Sequence, residues 1–226
     1  MEHLLAHTHM YTDEAVIDRV LGGELSLFGV LVKRYNAVLY KIARSHGFGH
    51  HDAEDLMQDT HVTAYTQLHQ FEKRAAYKTW ITRIMINRCL YKLKYGYFKN
   101  EVPRAHLTDN NDEPMPSKPL HNLTEDAVAN RELAAVLEKS LQEIPLMYRM
   151  VFVLRVTEGF SVAESAELLG ITPINVKVRL SRAKALLQKR LEQFYSQSEL
   201  YAFNLVYCDA LVERVLMRIR EGKEIQ

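Results

Sequence analysis

Residues 161–191 of this chain read SVAESAELLGITPINVKVRLSRAKALLQKRL, a stretch that predicts two helices joined by a tight corner. Ser161 can cap the first helix, and Glu164, three residues on, completes a capping box. Gly170 suits the left-handed residue that ends this helix. Its apolar side is expected to consist of Ala163, Ala166, Leu168 and Leu169. The stretch therefore predicts a helix-turn-helix.

The second helix of this pair has the shape and charge to enter a DNA major groove. Thr172 can cap it, and Pro173 stands at its first position, where a missing N–H costs nothing. Its inward-facing residues recur at helical spacing: Val176, Leu180, Ala183 and Leu187. The remaining positions are polar or basic: Asn175, Lys177, Arg179, Ser181, Arg182 and Lys184. Lys and Arg neutralise phosphates, while Asn, Ser and Arg can bond base edges, so DNA binding is favoured over an ordinary helical corner with a solvated basic face.

Length and composition are those of a soluble protein with one large or two small domains. The chain has 226 residues, of which 47% are hydrophobic and 25% charged, and its net charge is +1. Cys89 and Cys208 lie far apart, which fits buried thiols in a reducing cytosol. No signal peptide and no membrane-spanning apolar run is recognisable, so we expect a cytoplasmic protein without membrane insertion.

Helical periodicity dominates the whole chain and predicts an all-α fold. Helices are expected over residues 12–22, 25–47, 52–71, 78–97 and 146–158, and from residue 124 onward. Four prolines among polar residues indicate a flexible linker. The expected organisation is a tail at 1–11, a helical domain at 12–98, the linker at 99–123, a helix-turn-helix domain at 124–193 and a C-terminal helical extension at 194–226.

The segment from residue 71 to 98 interleaves aromatic and basic residues. The aromatic residues are Phe71, Tyr77, Trp80, Tyr91, Tyr95, Tyr97 and Phe98, and the basic ones are Lys73, Arg74, Lys78, Arg83, Arg88, Lys92 and Lys94. Aromatic rings stack on unpaired bases while cations follow the phosphates, as in single-strand binders. Core packing is the alternative, and it is expected for Trp80, Ile81, Ile84 and Ile86.

Other polar clusters give weaker functional signals. The acidic turns of residues 52–59 suit either a solvated helix start or docking to a basic partner helix. His3, His7 and His9 suggest a metal site, but no Cys or carboxylate cluster completes a coordination shell, so a mobile tail is favoured. No nucleophile motif, phosphate-binding loop or metalloprotease motif is present. We therefore expect no enzymatic activity, no metal and no cofactor.

Two separated blocks of the sequence resemble the extracytoplasmic-function (ECF) group of bacterial sigma factors. Residues 52–88, DAEDLMQDTHVTAYTQLHQFEKRAAYKTWITRIMINR, resemble sigma region 2. Residues 144–191, which contain the helix-turn-helix, resemble sigma region 4. The resemblance implies a factor that binds core RNA polymerase and directs promoter-specific initiation without catalysing a reaction. Its implied partners are the polymerase β′ clamp helices and β flap, promoter DNA and an anti-sigma factor.

The resemblance also assigns roles to particular residues. The residues implied in polymerase docking are Asp52, Glu54, Asp55 and Gln58. Those implied in recognition of the minus-10 element are Phe71, Lys73, Arg74, Tyr77, Lys78, Trp80, Arg83, Asn87 and Arg88. Those implied in recognition of the minus-35 element are Thr172, Asn175, Lys177, Val178, Arg179, Ser181 and Arg182.

Some positions depart from the family pattern, and two other functions remain open. Ser165 stands where a large aliphatic residue is usual, and its hydroxyl can bond a carbonyl four residues earlier. One alternative is a stand-alone helix-turn-helix regulator, which would have no use for the aromatic and basic segment. The other is a sigma-like interaction protein that sequesters polymerase or an anti-sigma factor.

Overall fold

The computed structural model describes residues 11–98 and 136–192, with the backbone alone for residues 96–98. These ranges contain α-helices and short helical turns but no strand. The helices are α1 (Asp13–Leu21), α2 (Phe28–Ser45), α3 (His50–Thr66), α4 (Tyr77–Phe98), α5 (136–142), α6 (Leu146–Phe152), α7 (Val162–Leu169) and α8 (Pro173–Leu191). The all-α prediction is confirmed. The predicted linker and C-terminal extension lie outside the described residues.

Hydrogen bonds that cap helices are present in both halves of the chain. Thr12 Oγ1 accepts a hydrogen bond of 3.3 Å from the Ala15 amide at the start of α1. Ser161 and Glu164 form the reciprocal capping box of α7, with distances of 3.1 and 2.8 Å. Gly170 ends α7 with φ 61°, a left-handed conformation that is unfavourable for residues with a Cβ.

The corner between α7 and α8 also follows the prediction. The Asn175 amide donates to Thr172 Oγ1 over 3.2 Å, and Pro173 is the first residue of α8. Val176 and Ala183 are fully buried. Local hydrogen bonds therefore define the ends of both helices of the helix-turn-helix, while Leu168 packs into the core shared with the first half.

Several sequence-based predictions in the second half of the chain are wrong. Ala163 is exposed, although it was expected on the apolar side of α7. Ser165 is fully buried, and its hydroxyl makes no hydrogen bond, so the expected bond to a carbonyl is absent. The helix over residues 146–158 is α-helical only to Phe152. It continues as a π-helical turn, Val153–Thr157, which brings Glu158 under the first half of the chain.

Helices α2, α3 and α4 form the centre of the first half, with α1 packed across α2. Their core includes fully buried Leu31, Leu39, Ile42, Ile81 and Met85. Ile86 is buried as expected, whereas Trp80 and Ile84 are only half-buried. The third helix begins at His50 and ends at Thr66, and the 3-10 turn Leu68–Gln70 follows it.

The two halves of the chain share one core. Residues through Leu187 form one compact unit, in which α6 packs on α2, and α7 packs on α4. Met150, Leu154, Phe160 and Leu168 belong to the same buried cluster as the core of the first half. Within the described ranges, no helix combines the length and apolar character needed to cross a membrane.

Candidate nucleic-acid and partner interfaces

Helix α8 presents a continuous exposed face opposite its buried seam. Val176, Ala183 and Leu187 point into the core. The exposed residues are Asn175, Lys177, Val178, Ser181 and Arg182, with Thr172 exposed at the N-terminal cap. Arg179 lies half-buried at the edge, and Arg182 approaches the Tyr148 hydroxyl at 3.4 Å. All the predicted minus-35 residues are therefore on one helix or its cap, and six of the seven are exposed.

The loop before α4 is held by three aromatic rings. Phe71, Tyr77 and Trp80 lie with ring centroids 5.2–5.7 Å apart. Only 1% of Tyr77 is exposed, and its hydroxyl has no hydrogen-bond partner. Burial also raises the pKa of this phenol above its usual range. Tyr77 thus supports the loop from the core, whereas the rings of Phe71 and Trp80 remain partly accessible.

Three predicted DNA-contacting cations already pair with acids of the first half. Lys73, the one described non-glycine residue with positive φ, places its ammonium 2.5 Å from Asp18. Arg74 pairs with the neighbouring Glu72 on the surface. Arg88 donates to Asp59 over 3.0 Å and also contacts Thr63 on α3. Exposed pairs of this kind contribute little stability and can exchange for phosphate contacts.

The side of α4 that carries Lys78 and Arg83 faces the helix-turn-helix half. Lys78 donates to the backbone oxygen of Glu158, and Arg83 donates to Glu167 of α7, both over 2.6 Å. Asn87, one turn beyond Arg83, is exposed. Lys78 is therefore partly covered by the second half of the chain, whereas Arg83 pairs with that half but stays exposed.

The predicted docking residues are all exposed on α3 but lie on two sides of it. Asp52 points toward α4 and pairs with Lys92 over 2.6 Å. Asp55 makes no ion pair or hydrogen bond with any described residue. Glu54 lies 3.4 Å from His50 Nε2, and Glu54 and Gln58 border a groove between α3 and α2.

Sequence reasoning missed the groove beside these acids. It has a volume of about 500 Å³, and its apolar lining includes Leu25, Phe28, Met57, Val62 and Tyr65. Val62 is 58% and Tyr65 41% exposed, so these two apolar residues of α3 border the groove and do not pack in the core. Ala53, Leu56 and Ala64 already form the buried stripe of α3. A second apolar stripe on the same helix was the signal that could have revealed an open surface.

Buried titratable groups in this half are structural. Burial lowers the pKa of His46 and of His61 to about 4, which keeps both rings neutral. His46 Nδ1 lies 2.7 Å from the Ile42 carbonyl, and His61 Nε2 lies 2.9 Å from Asn36 Oδ1. Burial raises the pKa of the Cys89 thiol to about 12, so it is unreactive at neutral pH.

The part of the chain that the structure describes contains no cluster of His, Cys, Asp and Glu able to hold a metal ion. His3, His7 and His9 lie outside the described residues, as does Cys208.

Comparisons with known proteins agree with both halves of this arrangement. The family model of Sigma-70 region 2 matches residues 31–96, and that of Sigma-70 region 4 matches residues 134–187. RNA polymerase sigma factor CnrH of Cupriavidus metallidurans is 30% identical over 188 residues, which cover 80% of this chain and 94% of CnrH. ECF RNA polymerase sigma factor SigM of Mycobacterium tuberculosis is 28% identical over 185 residues, or 81% of this chain and 86% of SigM.

A solved structure of CnrH in complex with the cytosolic domain of CnrY is similar in fold. Its TM-score is 0.57 at 28% identity, and the match covers 80% of this chain and 97% of that one. The chain therefore belongs to the sigma-70 family, in its ECF group. As a sigma factor it binds RNA polymerase and directs promoter-specific transcription initiation.

Proposed function

We propose that this sigma factor works through three surfaces on two functional modules. Residues 12–98 form the module for polymerase docking and minus-10 recognition, and residues 124–193 form the module for minus-35 recognition. Residues 99–123 connect them, and residues 1–11 and 194–226 flank them. The observation that carries the proposal is the exposed basic face of α8 opposite a seam in which Val176, Ala183 and Leu187 are buried, which is what a DNA-reading helix requires.

The polymerase-docking surface is the exposed part of α3 that carries the four docking residues on its two sides. Asp52, Glu54, Asp55 and Gln58 are all accessible, and Asp55 has no competing partner among the described residues. Carboxylates in this setting attract basic side chains of a partner helix and fix its register. The groove beside Glu54 and Gln58 offers apolar contact area next to the charges. We assign this surface to the β′ clamp helices, and the helix-turn-helix module to the β flap.

The minus-10 surface consists of the loop before α4 and the first three turns of that helix. Phe71 and Trp80 supply partly exposed rings, which Tyr77 holds in place from the core. The surrounding polar residues are Lys73, Arg74, Lys78, Arg83, Asn87 and Arg88. Base stacking and phosphate contacts at such a surface offset the few kcal/mol needed to unstack a base step.

The minus-35 surface is the exposed face of α8. Asn175, Ser181 and Arg182 can reach base edges, and Val178 can contact a thymine methyl group. Lys177 and Arg179 suit phosphate contacts, and Thr172 lies at the N-terminus of the helix, where phosphates are favoured.

The proposed mechanism is one of binding alone, with no covalent step. The factor would act at the nucleoid in the cytoplasm, where polymerase and promoters are found. CnrH has been solved with the cytosolic domain of CnrY bound, and RpoE of Bartonella quintana with the anti-sigma factor NepR. By analogy with the complex of CnrH and CnrY, we propose that an anti-sigma factor controls this chain.

Three single variants separate the three surfaces in the full chain. Asp55→Lys should lose polymerase binding, Asn87→Ala should weaken binding of single-stranded DNA, and Arg182→Ala should weaken binding of duplex DNA. Each assay is run on all three variants, with Lys33→Ala as an exposed control in α2. Selective loss in one assay per variant supports the assignments. If a variant binds as tightly as the parent chain in the assay of the surface that it alters, the role proposed for that residue is wrong.

A further inference from the structure

Two branched apolar residues lie in the centre of the exposed face of α8. Ile174 is 73% and Val178 41% exposed. An α-helix turns by about 100° per residue, so a residue two positions from a buried one lies on the opposite side of the helix. Val176 is fully buried and lies two positions from each of them. Ile174 and Val178 therefore point away from the core, one helical turn apart.

Neither core packing nor helix formation explains these two side chains. Ile171 and Leu180 pack against the buried cluster that contains Val176. Ile174 and Val178, in contrast, lie outside both hydrophobic clusters of the described residues. Residues branched at Cβ are also weaker helix formers than Ala, Lys or Glu. A polar side chain would serve the fold at least as well at either position.

The two residues begin a line of apolar or small side chains along the helix. Spacings of four, three and four positions place these residues on one side of α8, and all of them are exposed: Ile174, Val178, Ser181 and Ala185. Each of them lies two positions from buried Val176 or Ala183. These four residues form the central strip of α8, directly opposite its buried seam.

Polar and basic side chains border the central strip on both sides. Lys177 and Lys184, seven positions apart, lie along one border. Asn175 and Arg182, with the same spacing, lie along the other, and all four residues are exposed. Helix α8 contains no Asp or Glu. Positive charge without any acid is complementary to the phosphates that line a DNA groove, so DNA fits this face better than a protein surface does.

The DNA major groove offers the central strip a matching apolar group. Thymine presents its C5 methyl group there, in addition to a hydrogen-bond acceptor. The N-terminal residues of a recognition helix contact base edges, and Ile174 is the second residue of α8. Ile174 and Val178 are separated by about 6 Å along the helix axis. This separation is close to two base-pair steps of about 3.4 Å each.

We infer that Ile174 and Val178 bind thymine methyl groups, which makes thymine a preferred base in the minus-35 element. Ile174 is thereby a further specificity-determining residue of this helix. The inference rests on the proposed minus-35 role of α8. Arg182 and Asn175 supply hydrogen bonds to base edges beside the strip, while the two apolar side chains remove the thymine methyl groups from water.

The test compares thymine with deoxyuridine, which lacks only the C5 methyl group. The full parent chain selects a preferred duplex from a random pool, and each thymine of that duplex is then replaced in turn by deoxyuridine. Fluorescence anisotropy gives the affinity of each duplex for the parent, for Ile174→Ala and for Val178→Ala. Both positions are exposed and Ala is the better helix former, so these variants fold. Leu21→Ala, at a 51% exposed position of α1, is the matched control.

The parent and the Leu21→Ala control should bind about fourfold more weakly when the methyl group is removed from one or two of the thymines, as expected for one buried methyl group. Ile174→Ala or Val178→Ala should bind the thymine and deoxyuridine duplexes equally at the thymine that the deleted side chain contacts. Lys177→Ala should weaken binding of both duplexes and leave their ratio unchanged.

Equal affinity of the parent for all thymine and deoxyuridine duplexes overturns the inference. A methyl effect that persists in both Ala variants also overturns it, because the effect then arises from the flexibility of the duplex. If Arg182→Ala reduces base discrimination in either case, the minus-35 role of α8 stands and the inference alone fails. If the parent enriches no duplex, both fail. Unchanged DNA affinity of Ile174→Ala with weaker binding of core polymerase makes the central strip a protein contact, which likewise overturns the inference.

Discussion

Lys41 and Glu158 are 117 positions apart in sequence, yet the Lys41 ammonium lies 2.9 Å from a carboxylate oxygen of Glu158. The pair joins α2 of the first half to the end of the π-helical turn that precedes the helix-turn-helix. Because Glu158 is buried and also pairs with Lys78 of α4, it connects the second half of the chain to two helices of the first half.

The acidic face of α3 is expected to determine polymerase affinity. Asp55 is exposed and unpaired among the described residues, so Asp55→Lys reverses a charge without disturbing the fold. We expect core polymerase binding to weaken at least about tenfold, because a like charge would oppose the basic partner helix. Titration of labelled variant into core polymerase measures this, with Glu14→Lys as the control. Equal affinity of the Asp55 and Glu14 variants would remove the docking assignment.

The exposed face of α8 is expected to read sequence in the major groove. Arg182→Ala should reduce discrimination at one base pair by about 1–3 kcal/mol. Preferred duplexes are first selected from a random pool with the parent chain. The affinities of the parent and of the Arg182→Ala protein for these duplexes are then compared with their affinities for single-base variants of the same duplexes. Lys177→Ala should instead weaken binding to all duplexes alike and reduce its salt dependence. An Arg182→Ala protein with undiminished base preference would contradict direct readout by this residue.

The buried hydroxyl of Ser165 is expected to reduce stability. It is fully buried in α7 and has no hydrogen-bond partner. Ser165→Ala should therefore raise the free energy of unfolding by about 1 kcal/mol, because a desolvated and unpaired polar group is removed. Urea denaturation measures the change, with the exposed Ser26→Ala expected to stay within about 0.5 kcal/mol of the parent. A loss of stability in Ser165→Ala would show that the hydroxyl has a favourable partner.

Stability is expected to fall as the pH is lowered from about 6.5 toward 4. His46 and His61 have pKa values of about 4 in the folded protein because burial disfavours their charged forms, whereas an exposed histidine in the unfolded chain titrates near 6.5. Between these values the unfolded chain binds more protons, so each histidine lowers the unfolding free energy by about 1–2 kcal/mol between about pH 7 and 5.

Replacing one of these histidines isolates its share of the pH dependence. His61→Gln should flatten the plot of unfolding free energy against pH in this window, whereas the exposed His51→Gln should leave the slope unchanged. Urea denaturation across the window gives both slopes. Equal slopes for the two variants would mean that His61 titrates normally in the folded protein.

Local sequence signals predicted the helix-turn-helix well because its determinants act over a few residues. The capping box at Ser161, the left-handed Gly170 and the Thr172 cap each involve partners within three or four positions. Spacing also predicted the buried seam of α8. The exposed Ala163 shows the limit of this reasoning, since a small apolar residue fits a surface as readily as a core.

Long-range contacts could not be predicted in the same way. Nothing in the sequence near Glu158 indicates that it is buried between Lys41 and Lys78, because its partners come from helices far away in the chain. The same reason explains Tyr77, which was expected to contact DNA but packs beneath Phe71 and Trp80. Likewise, Val62 and Tyr65 have the spacing of core residues but border an open groove.

Run-off transcription with core RNA polymerase and a library of genomic fragments tests the central claim most directly. The account predicts discrete new start sites, each preceded by two elements at a fixed spacing, and loss of these transcripts with Asp55→Lys. The absence of discrete starts, in a reaction where the chain is bound to polymerase, would contradict the claim that this chain directs promoter-specific initiation.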